Sequence, residues 1–237
     1  MAQELEKPNI PAEMYHALGD DVAPARPTLT GDIFENVAVA NTDGTFTTRA
    51  VMILDHPCSL RPDGLNLAPR LLAAEVQPTP KGSWKGNYNK MFLPAPFPGV
   101  GGEEGHCAAF FDVSFHVAPE QLDAGTRIAC LSPLGINLML QRRVKHFSRV
   151  TVKTFDFMEA NVGVYEEADL LEDWCMFRED DGIKTLDAVA ECISWLREGS
   201  PGSRRQDLLK DPQQRSTVRQ QMRAHLREQR ELSRTSR

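Results

Sequence analysis

The chain has 237 residues, 41% of them hydrophobic and 25% charged, with a formal net charge of −6. That balance fits a soluble globular fold and excludes collagen-like and charge-dominated disordered classes. No run approaches the roughly 20 apolar residues of a membrane-spanning helix. The opening Met1-Ala2-Gln3-Glu4-Leu5-Glu6-Lys7 lacks a basic region followed by an apolar core, so no secretory leader is expected.

Five cysteines (Cys58, Cys107, Cys130, Cys175 and Cys192) lie in apolar surroundings without a Cys-x-x-Cys pair. This suits reduced thiols in a cytoplasm rather than a disulfide framework, and neither a structural metal nor a cofactor is expected. Charge is unevenly distributed. From Ser200 onward there are ten Lys and Arg against four Asp and Glu, whereas the first 199 residues hold 17 basic and 29 acidic side chains. An acidic body carrying a basic tail is the main compositional feature.

Residues 1–28, with Pro8, Pro11, Pro24, Pro27 and Gly19-Asp20-Asp21, read as an irregular arm with unordered first residues and one short helix over Ala12–Leu18. A β-rich core follows over 29–155. Gly31–Val39 and Phe46–Leu54 flank Asn41-Thr42-Asp43-Gly44-Thr45, whose Asp-Gly step supplies the positive φ of a tight hairpin. Arg61-Pro62-Asp63-Gly64 marks a turn, and Arg70–Val76 a third strand. Pro78–Gly105 reads as a long irregular loop, a lid or a cover, containing Trp84, Tyr88, Met91, Phe92, Phe97 and Gly99-Val100-Gly101-Gly102.

His106–Val117 reads as a strand with Asp112, Ser114 and His116 on a polar face. Gly125–Leu131 is another strand, and Ser132-Pro133 caps a helix running to about Phe147. That helix puts Ile136, Leu140, Val144 and Phe147 on one stripe. Its Arg142, Arg143 and Lys145, with Arg149 beyond, face either solvent or an anionic ligand. Val150–Phe155 is β-branched and alternating, hence a closing strand.

A helical pair is expected over 156–198, its first member acidic beside Leu170, Leu171, Trp174 and Phe177, its second burying Ala190, Ile193, Trp195 and Leu196. Gly199-Ser200-Pro201-Gly202-Ser203 reads as a hinge, and 199–237 as hinge plus basic helix. Arg215, Arg219, Arg223 and Arg227 recur every four residues as one ridge, with Val218, Met222 and Leu226 as a thin apolar stripe beside it. Such a ridge fits an acidic protein surface, nucleic-acid phosphates or solvent.

The first place to look for chemistry is Arg49–Ser59, where the apolar Val51–Leu54 runs into His56-Pro57-Cys58. Pro57 ends the strand ladder and holds His56 extended, so Cys58 and Ser59 sit at a strand-to-turn junction. One reading makes Cys58 a nucleophile or metal ligand with His56, His106 or His116 as base or co-ligand. The other makes it a buried, inert thiol, with His56 a polar cap.

Gly31-Asp32-Ile33 followed by Arg49-Ala50-Val51-Met52-Ile53-Leu54 resembles the opening of MazF/PemK-like toxins, over about 50 residues. The resemblance implies an SH3-like β-barrel and RNA cleavage without a metal. Arg49 matches the family arginine and Thr79 a later threonine, while Ala50 stands where the family has proline.

The expected architecture is therefore α+β: a small, strongly bent antiparallel sheet or SH3-like β-barrel, then C-terminal helices. The expected function is a non-catalytic interaction module or accessory subunit of a prokaryotic or phage-related, toxin- or defence-like system. It would bind an acidic protein partner through the basic C-terminal helix, with nucleic acid as another ligand of the ridge and no membrane involved. The alternatives are a MazF/PemK-type endoribonuclease using Arg49 and Thr79, or a cysteine hydrolase using Cys58 with His106 or His116. A pocket is expected between the His56–Cys58 turn, His106–Cys107 and the proline-rich loop.

Overall fold

In a computed structural model of the chain, the residues described are 5–80, 84, 88–94, 100 and 106–235. The chain divides into two compact units, Met1–Val22 with Thr28–Glu159, and Ala23–Pro27 with Ala160–Arg237.

The first unit is built on seven antiparallel strands: β1 (Tyr15–Leu18), β2 (Ile33–Ala40), β3 (Phe46–Ile53), β4 (Leu71–Pro78), β5 (Lys90–Leu93), β6 (Cys107–Val117) and β7 (Thr126–Leu131). Their order in the sheet is β1-β7-β2-β3-β4-β6-β5, with every neighbouring pair antiparallel. Of the two expected forms the open sheet is the one present; it does not close into a barrel, and β1 and β5 are its edges. The hairpin β2–β3 forms where Asp43-Gly44 directs it. Gly44 has φ +82°, Asn41 N–H donates to Thr45 O, and Asp43 accepts from the Thr45 N–H and hydroxyl.

Side chains alternate between the two faces of the strands. On one face Phe34, Val37, Val51, Ile53, Leu71, Ala73 and Val117 bury with Leu60, from the short helix α1 (Pro57–Leu60), and Leu122, from α2 (Pro119–Asp123). Next in the chain comes α3 (Pro133–Ser148), started as its sequence dictates: Ser132 Oγ accepts from Gly135 N–H, and Pro133 is the first helical residue. Gly135–Arg142 is buried on every side of the helix, whereas Phe147 is exposed.

Several expectations are corrected. Ala12–Leu18 is a 3₁₀ turn (Pro11–Met14) followed by β1, because Tyr15–Leu18 finds the free edge of β7. The proline-rich loop contains β5, whose Met91 and Leu93 are buried while Lys90 pairs with Phe110 and Leu93 with Cys107. Phe97 and the Gly99–Gly102 run, Val100 apart, lie outside the described residues, as do residues 1–4. Val150–Phe155 is not a strand: it leads directly into the helix α4 (Thr154–Glu179), whose first turn takes in Thr154 and Phe155. The alternation of β6 is interrupted between the Ala74–Ser114 and Glu75–Phe110 pairs, which leaves Val113 as well as Asp112 and Ser114 exposed. Arg142 is neither solvated nor facing an open ligand site. It is buried, lies 4.4 Å over the Trp84 ring and donates to Glu6 O at 2.8 Å.

The second unit consists of the remainder of α4 with α5 (Thr185–Arg197), α6 (Arg205–Leu208) and α7 (Arg215–Thr235). Its core joins Leu170, Leu171, Trp174 and Cys175 of α4, Ala188, Cys192, Trp195 and Leu196 of α5, and Val218, Met222 and Leu226 of α7. The buried face of α5 thus includes Ala188 and Cys192; the expected Ala190 is exposed and Ile193 half-buried. Arg26, from the inserted Ala23–Pro27, is buried with ion pairs to Asp169 (3.0 Å) and Glu172 (2.6 Å).

Candidate functional site

The Arg49–Ser59 stretch is held by a polar lattice within the first unit. Gly31 N–H donates to Ile53 O and Ile53 N–H to Asp32 O, tying the start of β2 to the end of β3. The Thr30 hydroxyl donates to Asp55 O, the Asp55 carboxylate accepts from Leu72 N–H at 2.5 Å, and Arg143 donates to Leu54 O. Arg61 reaches Thr28 O at 2.8 Å. Beneath them Asp32 is buried, accepting from Leu29 N–H and pairing with Arg127, both at 3.0 Å. Burial pushes the Arg143 guanidinium below its ordinary pKa, against the attraction of Asp55.

His56 takes the cap position of α1, with Nδ1 accepting from Cys58 N–H at 3.2 Å. The polar-cap reading of His56 therefore describes its contact, but Cys58 is exposed rather than buried. The other candidate bases lie elsewhere. Thr79 donates its N–H to His106 O at 3.0 Å, and its hydroxyl receives Lys90 Nζ at 3.4 Å, at the Pro78 end of β4. The His56–Cys58 turn adjoins the Leu71 end. The eight residues of β4 hold the two ends roughly 20 Å apart, so Cys58 and His106 do not meet. His116 is exposed between Phe115 and Val117 on β6. It faces away from the side on which Val117 packs with Leu60 of the Cys58 turn.

Arg49, the candidate phosphate-binding residue, is half-buried and already engaged: with Glu75 at 2.7 Å, Asn41 Oδ1 at 3.0 Å and Thr47 Oγ1 at 3.1 Å. Thr79 is buried just past the Pro78 end of β4, away from Arg49 on β3. Among the described residues no three His, Cys, Asp or Glu side chains gather as a cation site.

The helical unit divides the arginine ridge. Arg215 and Arg219 approach Glu166 at 3.7 and 2.9 Å, and Arg219 reaches Asp173 at 3.4 Å. Arg230, outside the expected ridge, pairs with Asp181 at 2.6 Å and stacks 4.1 Å over Phe177. Val218, Met222 and Leu226 are buried beneath, so the apolar stripe serves the fold of the unit itself. Arg223 and Arg227 stay exposed and, among the described residues, make no ion pair. Arg223 lines a groove of about 380 Å³ with Asp173, Met176, Phe177, Asp180 and Met222.

Sequence reasoning missed a second cleft in this unit, lined by Trp174, Trp195 and His225. The signal available was the helical spacing of Trp174 and the lone His225 within an arginine-rich helix, but neither indicates that the rings meet. No family model, no curated protein and no solved structure matches the chain.

Proposed function

We propose that the protein is a non-catalytic interaction module that docks an acidic protein partner on the outward flank of α7. The division of the arginine ridge carries this reading: Arg215 and Arg219 are neutralised by α4, while Arg223 and Arg227 are exposed without a carboxylate partner among the described residues. In the groove beside Arg223, Asp173 is engaged by Arg219 and Asp180 by Arg230, so Arg223 supplies the unmatched charge. Met176, 54% exposed, and Phe177 supply apolar surface next to it. A partner helix or extended segment carrying carboxylates beside an apolar anchor is complementary to that surface.

The test is cross-linking of the intact chain in its native cells, with the linked peptides mapped by mass spectrometry. Links between α7 and acidic segments of one protein are expected. They should be lost in Arg223→Glu/Arg227→Glu, persist after nuclease treatment and weaken steeply with salt. Links that survive the double charge reversal, or vanish with nuclease, sink the reading.

A further inference from the structure

Among the described residues eleven large apolar side chains are exposed, and four of them fall within 147–158: Phe147 (66% exposed), Val150 (58%), Phe155 (69%) and Met158 (42%). Single exposed apolar side chains are ordinary, whereas a concentration of them marks a contact surface. All four belong to the first unit. Arg149 ends α3 in the left-handed conformation, with φ +60°, and α4 starts at Thr154. The connection between the helices spans only about 20 Å even when extended, so the two apolar pairs share one end of this unit.

The surface carries both signs of charge. Arg149 and Lys153, in the connection, are exposed, as are Asp156 and Glu159 on the first turns of α4. None of the four makes an ion pair among the described residues, although Lys153 acts at longer range on Glu6. At about 100° per residue, α4 presents Met158, Phe155, Glu159 and Asp156 in that order around its exposed side. The carboxylates therefore flank one margin of the Phe155–Met158 strip, and the cations precede it.

That mixture decides the occupant. An acidic protein, a phosphate backbone or an anionic bilayer would attract Arg149 and Lys153 but be repelled by Asp156 and Glu159 beside them. A second copy related by a two-fold axis meets no such conflict. Its carboxylates face these cations, its cations face these carboxylates, and the apolar side chains meet at the axis.

We propose that residues 147–159 form an isologous contact between two copies of the chain. Phe147, Val150, Phe155 and Met158 pack across the axis, and Arg149 and Lys153 of each copy pair with Asp156 and Glu159 of the other. This contact lies in the first unit and is independent of the Arg223 groove.

The experiment is sedimentation velocity of the full chain at concentrations up to about 200 μM, where a concentration-dependent dimer is expected. Phe147→Ser/Phe155→Ser should weaken association about tenfold or more while leaving the helical circular dichroism unchanged. Charge reversal tests the two-fold arrangement. Arg149→Glu/Lys153→Glu alone and Asp156→Lys/Glu159→Lys alone should each be monomeric, because every cross-axis pair becomes a like-charge pair. Mixed in equal amounts they should form a one-to-one dimer, which also shows that both variants are folded. A native chain that stays monomeric throughout overturns the proposal, as does a dimer that persists in all three variants or reversed chains that fail to associate on mixing. Monomers that pellet with anionic phospholipid vesicles, and lose this with Phe147→Ser/Phe155→Ser, would give the face to lipid and overturn it too.

Discussion

Asp32 is a carboxylate removed from water, and it is tolerated because Leu29 N–H and Arg127 both reach it. Removing it takes an ion-pair partner from Arg127 and an acceptor from Leu29 N–H beneath the β2–β3 junction. Asp32→Ala is therefore expected to lower stability by about 3 kcal/mol, read as a shift in the urea midpoint. The cysteines give a second residue-scale expectation. Burial pushes the Cys107 and Cys175 thiols up to about 11, and that of Cys192 higher still, while Cys58 is exposed. A thiol reagent at neutral pH should label the native protein once, at Cys58, and all five cysteines after denaturation; rapid labelling of a second site in native protein contradicts this packing.

Glu6 adds a pH dependence. Desolvation opposes its charge, but hydrogen bonds from the Thr154 hydroxyl and N–H and from Gln141 outweigh it and hold the carboxyl below its ordinary range. A folded pKa below the unfolded one stabilises above the unfolded value, near pH 4.3, and that stabilisation is lost as pH falls through the folded value. Glu6→Gln should thus reduce the loss of stability between about pH 5 and pH 3, measured as urea midpoint against pH.

At the scale of elements, the edge strand β1 depends on one small residue in α3. Met14 O accepts from Ser132 N–H at 2.8 Å, and a Cβ at position 135 would run into that same Met14 carbonyl. Gly135→Ala should displace the 3₁₀ turn and β1. Faster hydrogen exchange at the Tyr15–Leu18 amides is the measurement, and unchanged protection counts against the contact. Helix α7 depends on its apolar stripe more than on its charges. Its half-exposed arginine pairs each contribute about 0.5 kcal/mol or less. Met222→Ala removes a side chain that is 2% exposed within the unit's core and should cost about 2–4 kcal/mol, seen as earlier thermal loss of helical signal.

At the scale of the molecule, segregation of charge has a structural use. The basic tail follows an acidic body, and α7 sets its arginines against Glu166, Asp173 and Asp181 of α4 or its end. Truncation before Arg204 would remove the arginines facing Glu166 and Asp173, leave Asp181 with Arg178 alone, and uncover Trp174, Cys175 and Leu196 beneath. Increased binding of an apolar dye and a red-shifted tryptophan emission are expected; a truncated chain with the full-length spectrum would show that α7 is dispensable to the core.

The sequence by itself determined the features whose causes lie within a few residues. Asp43-Gly44 specified the hairpin, Ser132-Pro133 the start of α3, and apolar spacing the C-terminal helices, because turn geometry, capping and periodicity are local. Tertiary structure decided what depends on a distant partner. Tyr15–Leu18 became a strand because β7 offered it a pairing edge, whereas the β-branched Val150–Phe155 joins no strand and runs into α4. Arg142 was buried because Trp84 and the Glu6 carbonyl met it. Cys58 and His106 were kept apart by the length of β4, whereas Trp174, Trp195 and His225 were brought together from three helices. A side-chain type announces what chemistry it can perform, but the distance to its partner is set by strand register and helix packing, which local sequence does not encode.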